Sequence, residues 1–198
     1  MNHELTKDFI NAHLNDDVNK LALSKFPDDI DKQFVIRQIQ ARQLLKKKLP
    51  SWSENDELLF PKRLSLEQCS SELTAKYKRT ISRKDAKTQS RDASMAPAIK
   101  HIDTSLHRIL VDLTGGMGVD TSFLSDNFDE TIYVESQAEL CELAEHNFKV
   151  LKKNIKVVNA KAEDFLTQCG EVDCIYLDPA RRDRSEEHTS ELQSLPAI

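Results

Sequence analysis

Glycine is scarce in this chain: four in 198 residues, three of them crowded into residues 115–118. Nearly all of the backbone freedom that glycine confers therefore sits in one turn. The four cysteines, Cys69, Cys141, Cys169 and Cys174, fall in no CxxC or Cys/His spacing. That excludes an evident zinc site and a disulfide framework, and makes a reducing, cytoplasmic compartment the expectation. No apolar run approaches the roughly 18 residues of a membrane span. The opening MNHELTKDFI has neither a basic n-region nor an apolar h-region, so no signal peptide is read there. What remains, 39% hydrophobic and 31% charged residues, is the ordinary balance of a folded soluble protein of one or two domains.

Charge is distributed in blocks. Residues 1–36 carry a net −3, residues 37–100 a net +8, residues 101–183 a net −8 and residues 184–198 a net −2. A basic middle beside an acidic second half suggests a polyanion contact for the middle alone. For the run Lys46, Lys47 and Lys48 the plainer reading is a solvated last helical turn, where cations suit the helix dipole.

The first hundred residues read as helical. Residues 29–48 carry Ile30, Phe34, Val35, Ile39, Leu44 and Leu45 near helical spacing, and Pro50 stops the helix. A second helix is expected to open at Ser65, where Ser65 and Gln68 have capping-box spacing. Its expected buried stripe is Leu66, Cys69, Leu73 and Tyr77. Residues 82–104 are polar and basic and read as a linker between a helical domain (1–81) and a second domain (105–183).

After residue 101 the pattern changes. Residues 109–113, 131–135, 155–158 and 172–177 are short apolar or β-branched runs, separated by helical segments at 119–127, 137–151 and 162–168. This alternation predicts an α/β domain of parallel βαβ units buried on both faces. A ligand site then belongs at the carboxyl ends of the strands. Three chemistry-bearing elements fall on that edge. Asp112 and the turn Thr114-Gly115-Gly116-Met117-Gly118 follow the first strand. Glu135 ends the second, where an acid can accept both hydroxyls of a ribose. Asp178-Pro179 follows the fourth.

The segments LTGGMGVDTSFLS, YVESQAELCELAEHNF and LDPARRD, together with EQCSSELTAKYK in the helical half, resemble the class I S-adenosylmethionine-dependent methyltransferases. Within them the chain is similar to bacterial methyltransferases carrying a THUMP-like RNA-binding domain, over most of residues 40–183. The resemblance implies a Rossmann-like fold with S-adenosyl-L-methionine as cofactor and no metal. It implies that Asp112, Thr114, Gly115, Gly116, Met117 and Gly118 cradle the amino-acid part of the cofactor. Glu135 is implied at the ribose, Ala162 near the adenine, and Asp178 and Pro179 beside the sulfonium methyl as the catalytic pair. The implied activity is methylation of RNA, at a base nitrogen of tRNA or rRNA.

Three departures qualify the resemblance. Lys161 stands where an acid that binds the adenine amino group is expected, with Glu163 or Asp164 as substitutes from the next turn. Ala180 and Arg181 replace the aromatic that stacks a base in related D-P-P-Y sites. No cysteine follows Pro179, which argues against a cysteine-adduct route. Lys161 and the missing aromatic keep one rival open, a non-catalytic RNA-binding module with a vestigial cofactor fold. A second, a methyltransferase for small molecules or proteins, follows if the +8 block is only a solvated helical face.

Residues 184–198, RSEEHTSELQSLPAI, resemble the translation of a sequencing adapter and are expected to lie outside the fold. On that reading the chain holds four of the seven strands of a class I domain, in the order 3-2-1-4. It is then a fragment, expected to be inactive alone.

Overall fold

Four short parallel strands set the framework of the second half of the chain. The computed structural model describes residues 3–89 and 107–179. The strands are β1 (Ile109–Asp112), β2 (Glu130–Glu135), β3 (Ile155–Asn159) and β4 (Cys174–Tyr176), in the order β3-β2-β1-β4. Each segment that the β-branched and apolar runs predict as a strand is one. Register is fixed by pairs such as Val111 with Ile132, Val111 with Ile175, and Tyr133 with Val157. The fold is therefore α/β, with a Rossmann-like parallel sheet.

Helices cover the two faces unequally. On one, α8 (Ala138–Val150) lays Cys141, Ala144 and Phe148 against Tyr133. On the other, α9 (Ala162–Leu166) brings Phe165 near Val111, Leu113 and Val134. Continuous burial, expected for every strand, holds best at β1. At the sheet edges β3 and β4 are half exposed among the described residues, and Ile175 is largely open because no described helix covers its face. Cys169 and Cys174 are half-buried.

The helical half comprises α1 (His3–Ala12), α2 (Val18–Leu23), α3 (Lys32–Leu45), α4 (Pro50–Ser53), α5 (Arg63–Gln68) and α6 (Glu72–Gln89). Asp31 caps α3 by accepting from the Phe34 N–H at 3.0 Å. Pro50 both ends that run and starts α4 at its first position, where a missing N–H costs nothing. Lys46 and Lys47 are exposed, but Lys48 donates to the carbonyls of Leu66 (3.0 Å) and Glu67 (2.7 Å) at the end of α5.

The expected helix from Ser65 through Tyr77 is not continuous. Cys69 is extended, and the chain restarts at α6, where Ser71 Oγ accepts from the Thr74 N–H at 3.1 Å. Ser65 is thus the third residue of α5 rather than a cap. Leu73 is 81% and Tyr77 66% exposed, whereas Glu72 and Ala75 are buried. The reason is a tertiary one: the Glu72 carboxylate accepts the Ser51 N–H at 2.9 Å, which turns that face of α6 inward. The helix also runs on to Gln89, past residue 82, where the linker was expected to begin. Residues 90–104, Ala180 and Arg181, and the tail 184–198 lie outside the described residues.

The two halves share a core. Trp52, Leu58, Phe60 and Leu66 pack in one cluster with Met117 and Val119 of the glycine turn and α7 (Val119–Leu124). Asn147 of α8 clasps the backbone of Leu59, accepting its N–H at 2.9 Å and donating to its carbonyl at 2.8 Å. Arg42 is buried and donates to the carbonyls of Ser53, Asn55, Asp56 and Leu58, which fixes the same loop from the other side. Among the described residues no helix is long and apolar enough to cross a membrane, and no group of three metal-ligating side chains occurs.

Candidate functional site

A cleft of about 380 Å3 opens at the carboxyl ends of the strands, the size of a small-ligand site. All ten residues that the resemblance assigns to the cofactor and the catalytic pair line it: Asp112, Thr114, Gly115, Gly116, Met117, Gly118, Glu135, Ala162, Asp178 and Pro179. Lys161 and Glu163 line it too; Asp164 does not. Its last wall was not foreseen. Ser65, Gln68, Cys69 and Ser70, from the end of α5 and the break after it, reach the glycine turn from the helical half.

The glycines of the turn serve different purposes. At Gly115 and Gly118 a β-carbon would collide with the rings of Tyr133 and Phe148, so these two are glycine because aromatic rings lie beneath them. Gly116 has φ +54°, and a β-carbon there would meet only ordinary contact, the Thr114 carbonyl oxygen at 3.7 Å. It is glycine for its backbone and leaves room for a ligand. Tyr133 Oη donates to the Gly116 carbonyl at 2.6 Å and pins the turn from below. Burial pushes the Tyr133 hydroxyl far above its ordinary range, so it stays a donor.

Glu135 closes the turn onto the second strand. Its Oε2 accepts the Gly116 N–H at 2.9 Å, and its Oε1 accepts the Gln137 N–H at 2.9 Å at the start of α8. A carboxylate offers about four lone-pair sites, so acceptor capacity remains. Asp112 is deeply buried; its Oδ1 accepts the Thr114 N–H at 2.9 Å, and its Oδ2 accepts from Thr121 Oγ1. Burial pushes its carboxyl up to about 6, against the pull of the hydrogen bonds from Thr121 and Thr114. The Asp178 N–H donates to Thr114 Oγ1 at 2.8 Å, which ties the loop after β4 to the loop after β1.

Asp120, Tyr176 and Lys78 are functional neighbours that sequence reasoning missed. Asp120 Oδ2 accepts from Ser70 Oγ (2.7 Å), Lys78 Nζ (2.9 Å) and Tyr176 Oη (2.9 Å). Its Oδ1 is buried and has no hydrogen-bond partner among the described residues. An orphaned carboxylate oxygen there suits a ligand carrying a cationic donor. With Asp112, Glu135, Glu163 and Asp178 the lining is predominantly acidic, which favours a cation over a phosphate.

No family profile and no curated protein matches the chain. Among solved structures it is similar to a protein from Porphyromonas gingivalis W83 assigned as a methyltransferase. The identity is 26% and the TM-score 0.59, over 83% of this chain and 36% of that one. The chain thus spans little more than a third of that relative. A looser likeness, TM-score 0.33 at 23% identity, relates 43% of the chain to 50% of an rRNA methylase from Streptococcus thermophilus. Another, TM-score 0.42 at 14% identity, relates 68% of it to 63% of an O-methyltransferase from Bacillus cereus solved with SAH.

Proposed function

We propose that the cleft binds S-adenosyl-L-methionine and that the protein is a methyltransferase. One observation carries this reading: three strand-end elements far apart in sequence line a single acidic cavity. The fold shared with the Porphyromonas gingivalis protein supports it. The donor set fits such a cofactor. Gly116 leaves backbone space, Glu135 holds carboxylate oxygens at the end of the second strand, and Asp120 Oδ1 lacks a donor. When bound, the cofactor supplies a sulfonium-activated methyl, so little acid–base help is needed.

The chain's own task is placement. Asp112 and the turn 114–118 hold the amino-acid end, Glu135 accepts from the ribose, and Ala162 borders the adenine beside Lys161. Asp178 and Pro179 form the rim at which an acceptor nitrogen is presented. Holding nucleophile and methyl in line is the main source of rate in such a reaction.

For the acceptor we propose RNA, at a base nitrogen, in the cytoplasm. The support is the net +8 over residues 37–100. A second reading, a small molecule or protein as acceptor, is favoured by how much of that charge is engaged internally. Arg37 and Lys62 face Glu139, Arg63 faces Glu67, Lys76 faces Glu72, and Arg79 faces Asp126.

Calorimetric titration of the chain with S-adenosylmethionine and S-adenosylhomocysteine tests the cofactor reading. Saturable binding, lost in Glu135→Ala, is the expected result; no heat with either compound overturns it. Transfer of labelled methyl by a full-length protein carrying this chain, to total tRNA and rRNA against small-molecule and protein acceptors, separates the two acceptor readings.

A further inference from the structure

Lys78 lies on α6, a hundred residues from the strand-end motifs it meets. Its ammonium reaches Asp120 Oδ2 at 2.9 Å, Asp178 Oδ2 at 3.0 Å and Ser70 Oγ at 3.0 Å, and it also contacts the Tyr176 hydroxyl. Three ammonium protons thus serve four oxygen atoms. The Tyr176 hydroxyl joins the same two carboxylates, at 2.9 Å from Asp120 and 3.2 Å from Asp178. The Lys78 side chain is three-quarters buried, so solvent screens these contacts only in part. Lys78 does not itself line the cleft; Asp120, Tyr176 and Asp178 do.

We propose that Lys78 is a positioning residue, the cation that lets two carboxylates from different elements stand together at the rim and so holds Asp178 where a methyl acceptor is received. Without it, Asp120 and Asp178 still converge on the Tyr176 hydroxyl, and the cation that bridges them is gone. Two like charges in that arrangement either separate or take up a proton. Either outcome degrades Asp178 as a fixed anionic acceptor. It also follows that the helical half is part of the active centre rather than an appended module, because it delivers this cation. The inference rests on the cofactor reading for its meaning but not for its test.

Among the described residues, the charged and titratable groups that face this cluster include Asp120 from α7, Tyr176 from β4, Asp112 from the end of β1, and Cys69, itself beside Lys48, from the break before α6. Burial alone works against the Lys78 charge. The hydrogen bonds to Asp120 and Asp178 outweigh it, and the ammonium is held above its ordinary range.

The test is carboxyl carbon NMR of the whole chain labelled at aspartate, with the Asp178 resonance followed through a pH titration. In Lys78→Met the Asp178 midpoint moves up by about one pH unit or more. Lys78→Arg restores it, and so does Lys78→Met combined with Asp120→Asn. A midpoint unmoved in Lys78→Met overturns the proposal. Should Lys78→Met not fold, Asp120→Asn alone decides: removal of the competing carboxylate lowers the Asp178 midpoint, and an unchanged midpoint overturns the proposal. Failure of the unaltered chain to bind S-adenosylmethionine instead overturns the cofactor reading and leaves this titration intact.

Discussion

The ring of Tyr133 lies directly beneath Gly115. A β-carbon on Gly115 would come within 2.8 Å of Cδ2, with two further ring atoms closer still. Tyr133 is fully buried, packs edge-on to Phe148, and holds the turn through its hydroxyl, so the ring has nowhere to go. Gly115→Ala is therefore expected to destabilise the fold by overpacking, at about 1–3 kcal/mol. Gly116→Ala meets no such obstacle, and its cost is the left-handed backbone alone, about 1 kcal/mol. Urea denaturation of the two variants should separate them in that order. Ligand binding should reverse it, with Gly116→Ala the more harmful per unit of stability lost.

Glu135→Gln keeps the shape of the side chain and removes its charge. The amide oxygen can still accept the Gly116 N–H, while the Gln137 N–H loses its acceptor and turns to water at an exposed position, so the fold should lose about 1 kcal/mol. Hydrogen bonds that a carboxylate would accept from ribose hydroxyls are charge-assisted and worth about 1.5–3 kcal/mol. Binding of S-adenosylhomocysteine should weaken by roughly 10- to 100-fold in calorimetry, with the melting temperature little changed. Unaltered affinity would remove Glu135 from the binding set.

Asp112 carries a pH signature of determinate sign. Its folded-state value of about 6 lies above the ordinary 3.8 because burial disfavours the charge. The folded chain keeps a proton that the unfolded chain releases. The stabilising contribution is therefore complete below the unfolded value and is lost as pH rises through about 6. Over that window the unaltered chain should lose about 3 kcal/mol relative to Asp112→Asn. Denaturation of both chains between pH 4 and pH 7.5 measures the difference, and a constant gap counts against it. A cationic ligand requires the ionised form, so affinity for S-adenosylmethionine should climb over the same range in the unaltered chain only.

The strands and ten residues that line the cleft were legible from local signatures, whereas the strand order came from the resemblance. β-Branched runs mark β2 and β3, a cluster of glycines marks the turn, and acids stand where strands end. The helical half was less legible. Leu66, Cys69, Leu73 and Tyr77 step at helical intervals, yet the helix breaks at Cys69 and the last two face solvent. The burial of Glu72 in their place follows from a hydrogen bond to Ser51, twenty-one residues away, which no periodicity reports. The wall at Ser65, Gln68, Cys69 and Ser70, and the reach of Lys78 to Asp120 and Asp178, are likewise products of tertiary packing. The charge count was legible, but its distribution into internal pairs was not.

Asn147 joins the halves at one point. Its amide satisfies both the N–H and the carbonyl of Leu59, and its side chain is buried. Asn147→Ala leaves two half-buried backbone groups without partners and should cost about 2–4 kcal/mol. Because Leu58 and Phe60 flank that residue in the shared core, the loss should also loosen the wall beside the cleft. Thermal unfolding and S-adenosylhomocysteine affinity should therefore fall together. A stability loss with affinity intact would mean that the loop and the cleft are energetically separate.

The acceptor question turns on which cations are available. Lys46 and Lys47 are exposed at the end of α3, whereas Lys48, Lys62, Arg63, Lys76, Lys78 and Arg79 have partners within the protein. If RNA is held electrostatically, each phosphate neutralised contributes roughly 0.7–0.9 to the slope of log affinity against log salt. The double variant Lys46→Ala/Lys47→Ala should then bind tRNA more weakly and with a slope lower by about 1.5, while Arg63→Ala should change it far less. Filter binding between 50 and 200 mM salt reads both. A slope that ignores Lys46 and Lys47 removes from the contact two exposed cations of the basic block that have no ion pair among the described side chains. The contact then falls to Arg83, Lys84, Lys87, Arg91 and Lys100 at the far end of the block, or else a small-molecule or protein acceptor is the better reading of the same cleft.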